Sequence, residues 1–215
     1  MKLSVDRSEL WKGISTVLDA VPSKPAQPVL SNLLLDAGEG EVTLGATDLD
    51  LSMSTRISAQ VDQPGRVAVP ARTLAEIARE WPESVLKVCV EDGRLVVSGS
   101  LGPDKGEGRY SLATAPPEEF PEMPDSIDGV TVDFEEAGIS DGQLLRSMID
   151  KTSFAVSRDE TRPVLNGVLW RLKEEHMAMV ATDGSRLAEF KQQWNGSGID
   201  GLGEGTEVIH PPQVC

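Results

Sequence analysis

The sequence predicts an α+β fold written twice along the chain, and three observations carry that reading. Pro28-Val29-Leu30 and Ala46-Thr47-Asp48 return as Pro163-Val164-Leu165 and Ala181-Thr182-Asp183, from 28 to 163 and from 46 to 181, a common offset of 135 residues. Upstream, the helical stripe Leu10, Ile14, Val21 returns at the same offset as Leu145, Ile149, Val156. Between the repeated blocks Leu34, Val42 and Leu44 fall on Leu169, Met177 and Met179. Self-similarity at a fixed displacement marks a duplicated structural unit.

Each element has its own local cause. Asp6-Arg7-Ser8-Glu9 reads as an acidic N-cap with Glu at the third helical position, leading into apolar residues at Leu10, Ile14, Val17 and Val21. Leu33-Leu34-Leu35, Val42-Thr43-Leu44 and the alternating Leu49, Leu51, Met53 and Ile57 read as strands, broken at Gly38-Glu39-Gly40 and at Thr47-Asp48. A short strand, Val67-Ala68-Val69, precedes a second helix that Pro70 opens and Pro82 closes, with Leu74, Ile77, Ala78 and Trp81 on one face. Strands resume at Lys87 to Val90, Leu95 to Val97 and Arg109 to Leu112, with a Gly-rich loop from Gly99 to Gly108.

The stretch from Pro116 to Asp128, rich in Pro and acid, has the composition of a linker. Domains are therefore expected at 1–124 and 125–215. The second opens with another capping box, Ser140-Asp141-Gly142-Gln143, and a helix through Leu145, Met148 and Ile149. Strands are expected from Val164 to Leu172 and from Met177 to Ala181, then a Gly-rich loop from Gly196 to Gly205. Val208-Ile209-His210-Pro211-Pro212 matches Val67-Ala68-Val69-Pro70-Ala71, after which the second copy lacks the helix and closing strands of the first. That leaves an apolar sheet face uncovered, so the chain is expected to be a fragment or to be completed by something else.

Composition narrows the function. With 39% hydrophobic and 26% charged residues the chain is suited to a globular fold, and 4% aromatics leaves the core to Leu, Ile, Val and Met. No apolar run approaches the roughly 20 residues of a bilayer span, and Met1-Lys2-Leu3-Ser4-Val5 turns polar too soon for a signal peptide, so a cytoplasmic location is expected. Cys89, in an apolar strand-like run, reads as a buried thiol, Cys215 stands apart, and the isolated His176 and His210 lack metal-ligand spacing, so no metal or cofactor is expected. The net charge of −15 argues against a nucleic-acid partner, but only for the sum, because screening lets a local basic stripe act on its own.

Beyond the repeat, collinear strings run through almost the whole chain: Met1-Lys2-Leu3, residues Pro28 to Leu35, Thr47-Asp48-Leu49, Val69-Pro70-Ala71-Arg72, Tyr110-Ser111-Leu112, Glu119-Phe120-Pro121, Phe154-Ala155-Val156-Ser157, residues Thr161 to Gly167, and residues Ala181 to Ala188. In these the chain resembles the bacterial sliding clamp, the beta subunit of DNA polymerase III. The resemblance implies three similar clamp domains, each with two helices packed on antiparallel sheets, pairing head to tail as a homodimer into a ring around duplex DNA. This sequence would cover the first domain and part of the second, with the third absent. It also implies a non-enzymatic processivity factor, nucleoid-associated and without a membrane partner. Its partners would be double-stranded DNA, held without sequence reading, and the polymerase alpha subunit, the clamp loader and repair proteins, held through short hydrophobic peptides.

Three sites follow from the resemblance. DNA contacts would come from long basic side chains that meet phosphates loosely, namely Lys24 and Arg72 above all, then Lys12, Arg79, Arg146, Lys151, Arg158 and Arg162. The alternative for these is an ordinary solvated face. Pro212 and Gln213 replace a basic pair that the family often carries. A peptide pocket would use Leu165, Thr182, Gly184, Arg186 and Leu187, with glycine admitting a backbone and leucines forming walls. Alternatively these are core leucines and a plain hairpin turn, as their counterparts Leu30 and Leu49 are expected to be. The ring joint would use Thr73, Ile77, Trp81 and Tyr110, with Ile77 and Trp81 either exposed as a patch or buried as core.

Two rival readings remain from sequence. Paired Thr-Asp turns at Asp48 and Asp183 suggest a two-lobed aspartic protease, but the order is reversed and Leu49 stands where a small residue is needed. A clamp-like protein-binding module that never encircles DNA suits the acidic charge.

Overall fold

Helix α1 (Arg7–Val17) begins where the carboxylate of Asp6 accepts hydrogen bonds from the Ser8 and Glu9 backbone N–H groups, at 2.8 and 3.3 Å. Two of the four donors that a helix start leaves unpaired are thereby satisfied. The computed structural model describes residues 1–123, 131–132, 142–159, 161–173, 175–193, 199–200 and 206–210. The chain divides into two units, Met1–Asp125 and Ser126–Cys215.

In the first unit, strands β1 (Lys2–Asp6), β2 (Asn32–Ala37), β3 (Glu41–Thr47), β4 (Ser52–Ser58), β5 (Gln60–Gln63), β6 (Gly65–Pro70), β7 (Val85–Glu91), β8 (Arg94–Ser100) and β9 (Glu107–Ala113) make two antiparallel sheets. One runs β5-β1-β7-β8-β9 and the other β4-β3-β2-β6. Helix α2 (Ala71–Glu80) joins α1 over them, and both helices and both sheets share one core. Leu10, Ile14, Val17, Leu74 and Ala78 meet Leu3, Val5, Leu33, Leu35, Val42, Leu44, Leu86 and Leu95 there.

In the second unit, α3 (Gly142–Asp150) lies with a sheet of order β13-β12-β11-β15, built from β11 (Val168–Lys173), β12 (His176–Thr182), β13 (Leu187–Gln193) and β15 (Thr206–His210). A two-stranded ladder pairs β10 (Thr131–Val132) with β14 (Ile199–Asp200). The core here is rich in methionine, with Met148, Met177 and Met179 fully buried beside Val168, Leu172 and Ala181. An unbranched thioether fills an irregular interior that aromatics do not supply.

The two four-stranded sheets repeat pair for pair. Leu35 faces Leu44 and Val67, while Trp170, 135 positions on, faces Met179 and Val208. Thr47 faces Ser52, and Thr182 faces Leu187. The connecting turns repeat as well. Asp48 Oδ1 accepts from the N–H groups of Asp50 and Leu51 at 3.0 and 2.7 Å, and Asp183 Oδ1 accepts from those of Ser185 and Arg186 at 2.9 and 3.0 Å. Both turns need a left-handed residue, Leu49 at φ 85° and Gly184 at φ 89°.

Several expectations are corrected. Leu49 and Leu51 belong to this turn, not to a strand, because Asp48 caps the backbone there, and Leu49 is 53% exposed instead of core. Pro163–Leu165 is a 3-10 turn, so the strand starts only at Val168; proline lacks the donor a ladder needs. The Gly-rich loop of the first unit is shorter than expected, since β8 and β9 run through Ser100 and from Glu107. The start of the expected linker is part of the first unit: Ala115 bridges Ala68, and Phe120 is buried against Val29, Leu30, Leu34 and Ala68. The capping residues Ser140 and Asp141 lie outside the described residues.

Where the copies differ, the packing compensates. A Cβ at Gly13 would stand 2.7 Å from both Leu44 Cδ1 and Ile57 Cγ2, so α1 rests directly on β3 and β4. The corresponding position in α3 is Met148, wholly buried, and there the sheet presents Met179 and Gln192 in place of Leu44 and Ile57. Gly13→Met is therefore expected to overpack the first unit and lower its unfolding free energy by about 1–3 kcal/mol, read from the urea midpoint. An unchanged midpoint would mean that α1 stands off the sheet.

Candidate functional site

The helix pair of the first unit sets out the basic residues. Arg7 Nη1 donates to the Arg79 carbonyl at 3.2 Å and Arg72 Nη2 to the Val21 carbonyl at 3.4 Å. The start of each helix is thus tied to the end of the other, or to the turn just beyond it, and the two run antiparallel. The second contact places Arg72 beside the loop that carries Lys24. Lys24 and Lys12 are exposed and form no ion pair among the described residues, whereas Arg79 is held by Glu80 at 2.9 Å. An exposed pair of this kind is worth at most about 1 kcal/mol, so Arg79 can leave it for a phosphate at little cost.

In the second unit the candidate cations are more engaged. Arg146 faces Asp150 at 3.9 Å, Lys151 lies 4.8 Å from the centre of the Phe190 ring, and Arg162 sits 3.6 Å from Asp159. Asp159 also accepts hydrogen bonds from the Thr161 hydroxyl and N–H, at 2.6 and 3.0 Å, which hold its carboxyl below the usual range. The loop bearing Arg158 and Arg162 is closed by Ser157 N–H to the Leu165 carbonyl at 2.9 Å. Arg158 and Arg162 thus lie between two backbone positions that are bonded to each other. Pro212 and Gln213 lie outside the described residues.

Of the five residues expected at the peptide pocket, Gly184 and Arg186 belong to the hairpin turn, Thr182 ends β12, Leu187 opens β13, and Leu165 lies in the 3-10 turn; of these only Arg186 lines the cleft beside Phe154. Thr182 Oγ1 donates to the Arg186 carbonyl at 2.6 Å and accepts from Gly184 N–H at 3.1 Å. Backbone N–H groups of Ser185 and Arg186 aimed at Asp183 hold its carboxyl below the ordinary range, and the Arg186 guanidinium, 2.9 Å away, adds to this. Leu187 is 65% exposed, so it is no core residue. Arg186 and Asp183 form part of a cleft of about 620 Å³ whose other wall is Ser153, Phe154, Val156, Ser157 and Arg158.

Sequence patterning gives Phe154 no role at this site. It is largely exposed, and the Arg186 guanidinium lies 5.9 Å from its ring centre, within cation–π range. The available signal is the repeat itself, because the matching position of the first unit is the solvated Asp19. A bulky apolar residue at a position that the other copy gives to water points to a contact.

Thr73, Ile77, Trp81 and Tyr110 do come together, around a groove of about 300 Å³ with Glu76, Glu80, Pro82 and Leu101. Trp81 is not part of an exposed patch. It is buried, donates Nε1–H to the Ser100 carbonyl at 3.0 Å, and packs where a Cβ at Gly99 would stand 3.3 Å from its ring. Tyr110 stacks edge-on against it with ring centres 5.7 Å apart and remains half exposed. Trp81 forms the floor, while Ile77 and Tyr110 form the accessible rim.

With these geometries in place, comparison with known proteins finds two family matches. Residues 1–124 match the model of the DNA polymerase III beta subunit N-terminal domain, and residues 140–202 that of its central domain. The chain is 37% identical over 195 residues to the beta sliding clamp of Caulobacter vibrioides and 34% identical over 190 residues to that of Escherichia coli K12. Each match takes in 87% of this chain and 49% of the relative, so the chain spans about half the length of these proteins. Among solved structures, the DNA polymerase III beta subunit of Thermotoga maritima superimposes with a TM-score of 0.83 at 27% identity, and the Caulobacter crescentus clamp with 0.79 at 35%. Both cover 99% of this chain, which covers 53% and 54% of theirs.

Floor and rim predict different costs. Trp81→Ala is expected to destabilise the first unit by about 3–5 kcal/mol. Tyr110→Ala, at a half-exposed position, is expected to cost less than about 1 kcal/mol. Chemical denaturation distinguishes them, and equal losses would contradict the assignment.

Proposed function

Because the chain belongs to the DNA polymerase III beta subunit family, we propose that it serves as part of a sliding clamp, a non-catalytic processivity factor that encircles duplex DNA and tethers the polymerase. The reading is supported chiefly by Arg72, exposed and anchored to the Val21 carbonyl just before the loop that carries the exposed Lys24, neither of them in an ion pair among the described residues. Lys12 and Arg79 add to that surface in the first unit, and Arg146, Lys151, Arg158 and Arg162 supply basic side chains in the second. Such contacts bind through charge and counterion release, without base reading, and so permit sliding. The net charge of −15 is no obstacle, since repulsion beyond a Debye length of about 8 Å is screened.

Clients dock at the cleft formed by the Thr182–Leu187 turn and Phe154. Phe154 and Val156 offer apolar walls, Leu187 is exposed on the adjoining strand end, and Arg186, held by Asp183, is oriented before binding. The polymerase alpha subunit, the clamp loader and repair proteins are the proposed clients, and tethering acts through effective concentration. The groove of Thr73, Ile77, Trp81 and Tyr110 receives the neighbouring subunit in a homodimeric ring. The protein works in the cytoplasm on the nucleoid. Among the described residues, no helix is long and apolar enough to cross a membrane.

The double variant Lys24→Ala/Arg72→Ala is expected to weaken binding to a labelled duplex and to reduce the slope of log K against log salt by about 0.9 per lost contact. Arg186→Ala is expected to leave that slope unchanged and to weaken binding of a labelled Leu- and Phe-containing peptide about tenfold. Fluorescence anisotropy reads both. Equal loss of DNA and peptide binding in both variants would overturn the separation of the sites.

A further inference from the structure

Each unit carries a cation-bearing loop, between α1 and β2 in the first and between α3 and β11 in the second, and the two loops are fixed by different chemistry. The first holds Lys24 between Pro22 and Pro25, and Pro28 opens the 3-10 turn that follows. Proline locks φ near about −65°, so this loop is stiffened by its covalent structure. At the offset of 135 the second unit has Ser157 in place of Pro22, and no proline precedes Pro163. Arg158 and Arg162 are therefore borne by a stretch that no ring restrains.

Hydrogen bonds take the place of the rings. Buried Ser157 donates its N–H to the Leu165 carbonyl at 2.9 Å, a bond for which Pro22 has no N–H to offer Leu30. Ser157 Oγ accepts from the Asp159 N–H at 3.1 Å, and Asp159 Oδ1 accepts from the Thr161 N–H at 3.0 Å. The carbonyls of Ser157 and Asp159 both face the side chain of Asn166. An amide oxygen set against two carbonyl oxygens would leave three acceptors without a donor, so the nitrogen is the atom that faces them. Its two hydrogens then serve the Asp159 carbonyl at 3.0 Å and the Ser157 carbonyl at 3.2 Å. The first-unit counterpart, Ser31, has one hydroxyl hydrogen and can serve only one carbonyl.

We propose that Asn166 is a positioning residue for DNA, its amide latching the loop so that Arg158 and Arg162 are held in place before a phosphate arrives. The inference rests on the proposed reading of those two arginines as phosphate contacts. Both are exposed, and Arg162 is kept close to the loop by Asp159 at 3.6 Å. A loop ordered in advance gives up little freedom on binding, whereas one that the ligand must order loses part of the contact energy to that ordering. Asn166 acts through the arginines alone.

The test is a double-mutant cycle on the whole chain with a labelled duplex, read by fluorescence anisotropy. Asn166→Ala is expected to weaken binding about threefold to tenfold in the parent, and less than about 1.5-fold where Arg158→Ala/Arg162→Ala is already present. A residue that only supported the fold would weaken both backgrounds alike or neither, and either result overturns the proposal. Arg158→Ala/Arg162→Ala separates the two failures. If that variant alone leaves duplex binding and its salt slope unchanged, the reading of the arginines fails and the role of the latch with it. If it weakens binding and Asn166→Ala does not, the latch alone fails. Circular dichroism checks that Asn166→Ala retains its sheets, and the parent protein gives a measurement that needs no variant. NMR couplings across hydrogen bonds are expected from Asn166 Nδ2 to the carbonyl carbons of Ser157 and Asp159, and their absence would overturn the latch.

Discussion

A single carboxylate that accepts two backbone N–H groups sits at the end of the central hairpin in both units. Asp48 holds Asp50 and Leu51; Asp183 holds Ser185 and Arg186. The threonine before each aspartate receives the N–H of the left-handed residue after it, at 3.0 and 3.1 Å. These contacts set which residue of β3 faces which residue of β4, and of β12 and β13. A slip by one residue would turn the core-facing side chains outward and bury polar ones in place of Val42, Leu44 and Ile57. The common sheet, the core beneath it and the exposed surfaces at its turn end all depend on that register.

The surface chemistry changes where the two copies part. Asp19, in water, becomes Phe154, which walls a cleft. Leu49, strained at positive φ, becomes Gly184, and its turn neighbour Leu51 becomes Arg186, so the same hairpin end changes from an inert turn to one that can admit a backbone and present a charge. Ala68, covered by Phe120, becomes the exposed Ile209. Gly13 becomes Met148, wholly buried in a core that has Met179 in place of Leu44. The first three alter the surface and the last preserves the fold, which is how one scaffold can carry different contacts at equivalent places.

Much of this is legible in the residues. The Asp6 cap, the helix stripes, the Thr-Asp turns and the match of residues 208–210 to 67–69 rest on local chemistry or on the repeat, and the structure agrees with them, except that Val21 and Val156 lie beyond the ends of α1 and α3. Strands β1, β5 and β13 are not legible in the same way. Lys2–Asp6 and Gln60–Gln63 are short and carry only two and one apolar residues, while β13 is mostly polar, with Leu187, Ala188 and Phe190 set among Glu, Lys and Gln. The segment around Phe120 is hidden by its composition, because Pro and Glu read as a linker unless Phe120 is given a partner, and that partner is a patch built from residues 29 to 68. Helix periodicity cannot divide Trp81 from Ile77, since both lie on one stripe; the close approach of Gly99 and Gly108 draws the Trp81 ring inward.

The most direct measurement of the duplicated register is an NMR search for cross-strand Hα–Hα contacts. Ala68 turns its N–H and C=O away from Leu34 toward Ala115, so Leu35 and Leu44 form a close pair without mutual hydrogen bonds, and the repeat assigns the same relation to Trp170 and Met179. Strong contacts between both pairs are expected. A contact from Trp170 to Ala178 or Val180 in place of Met179 would show a slipped second sheet, and the correspondence of the two units would fail with it.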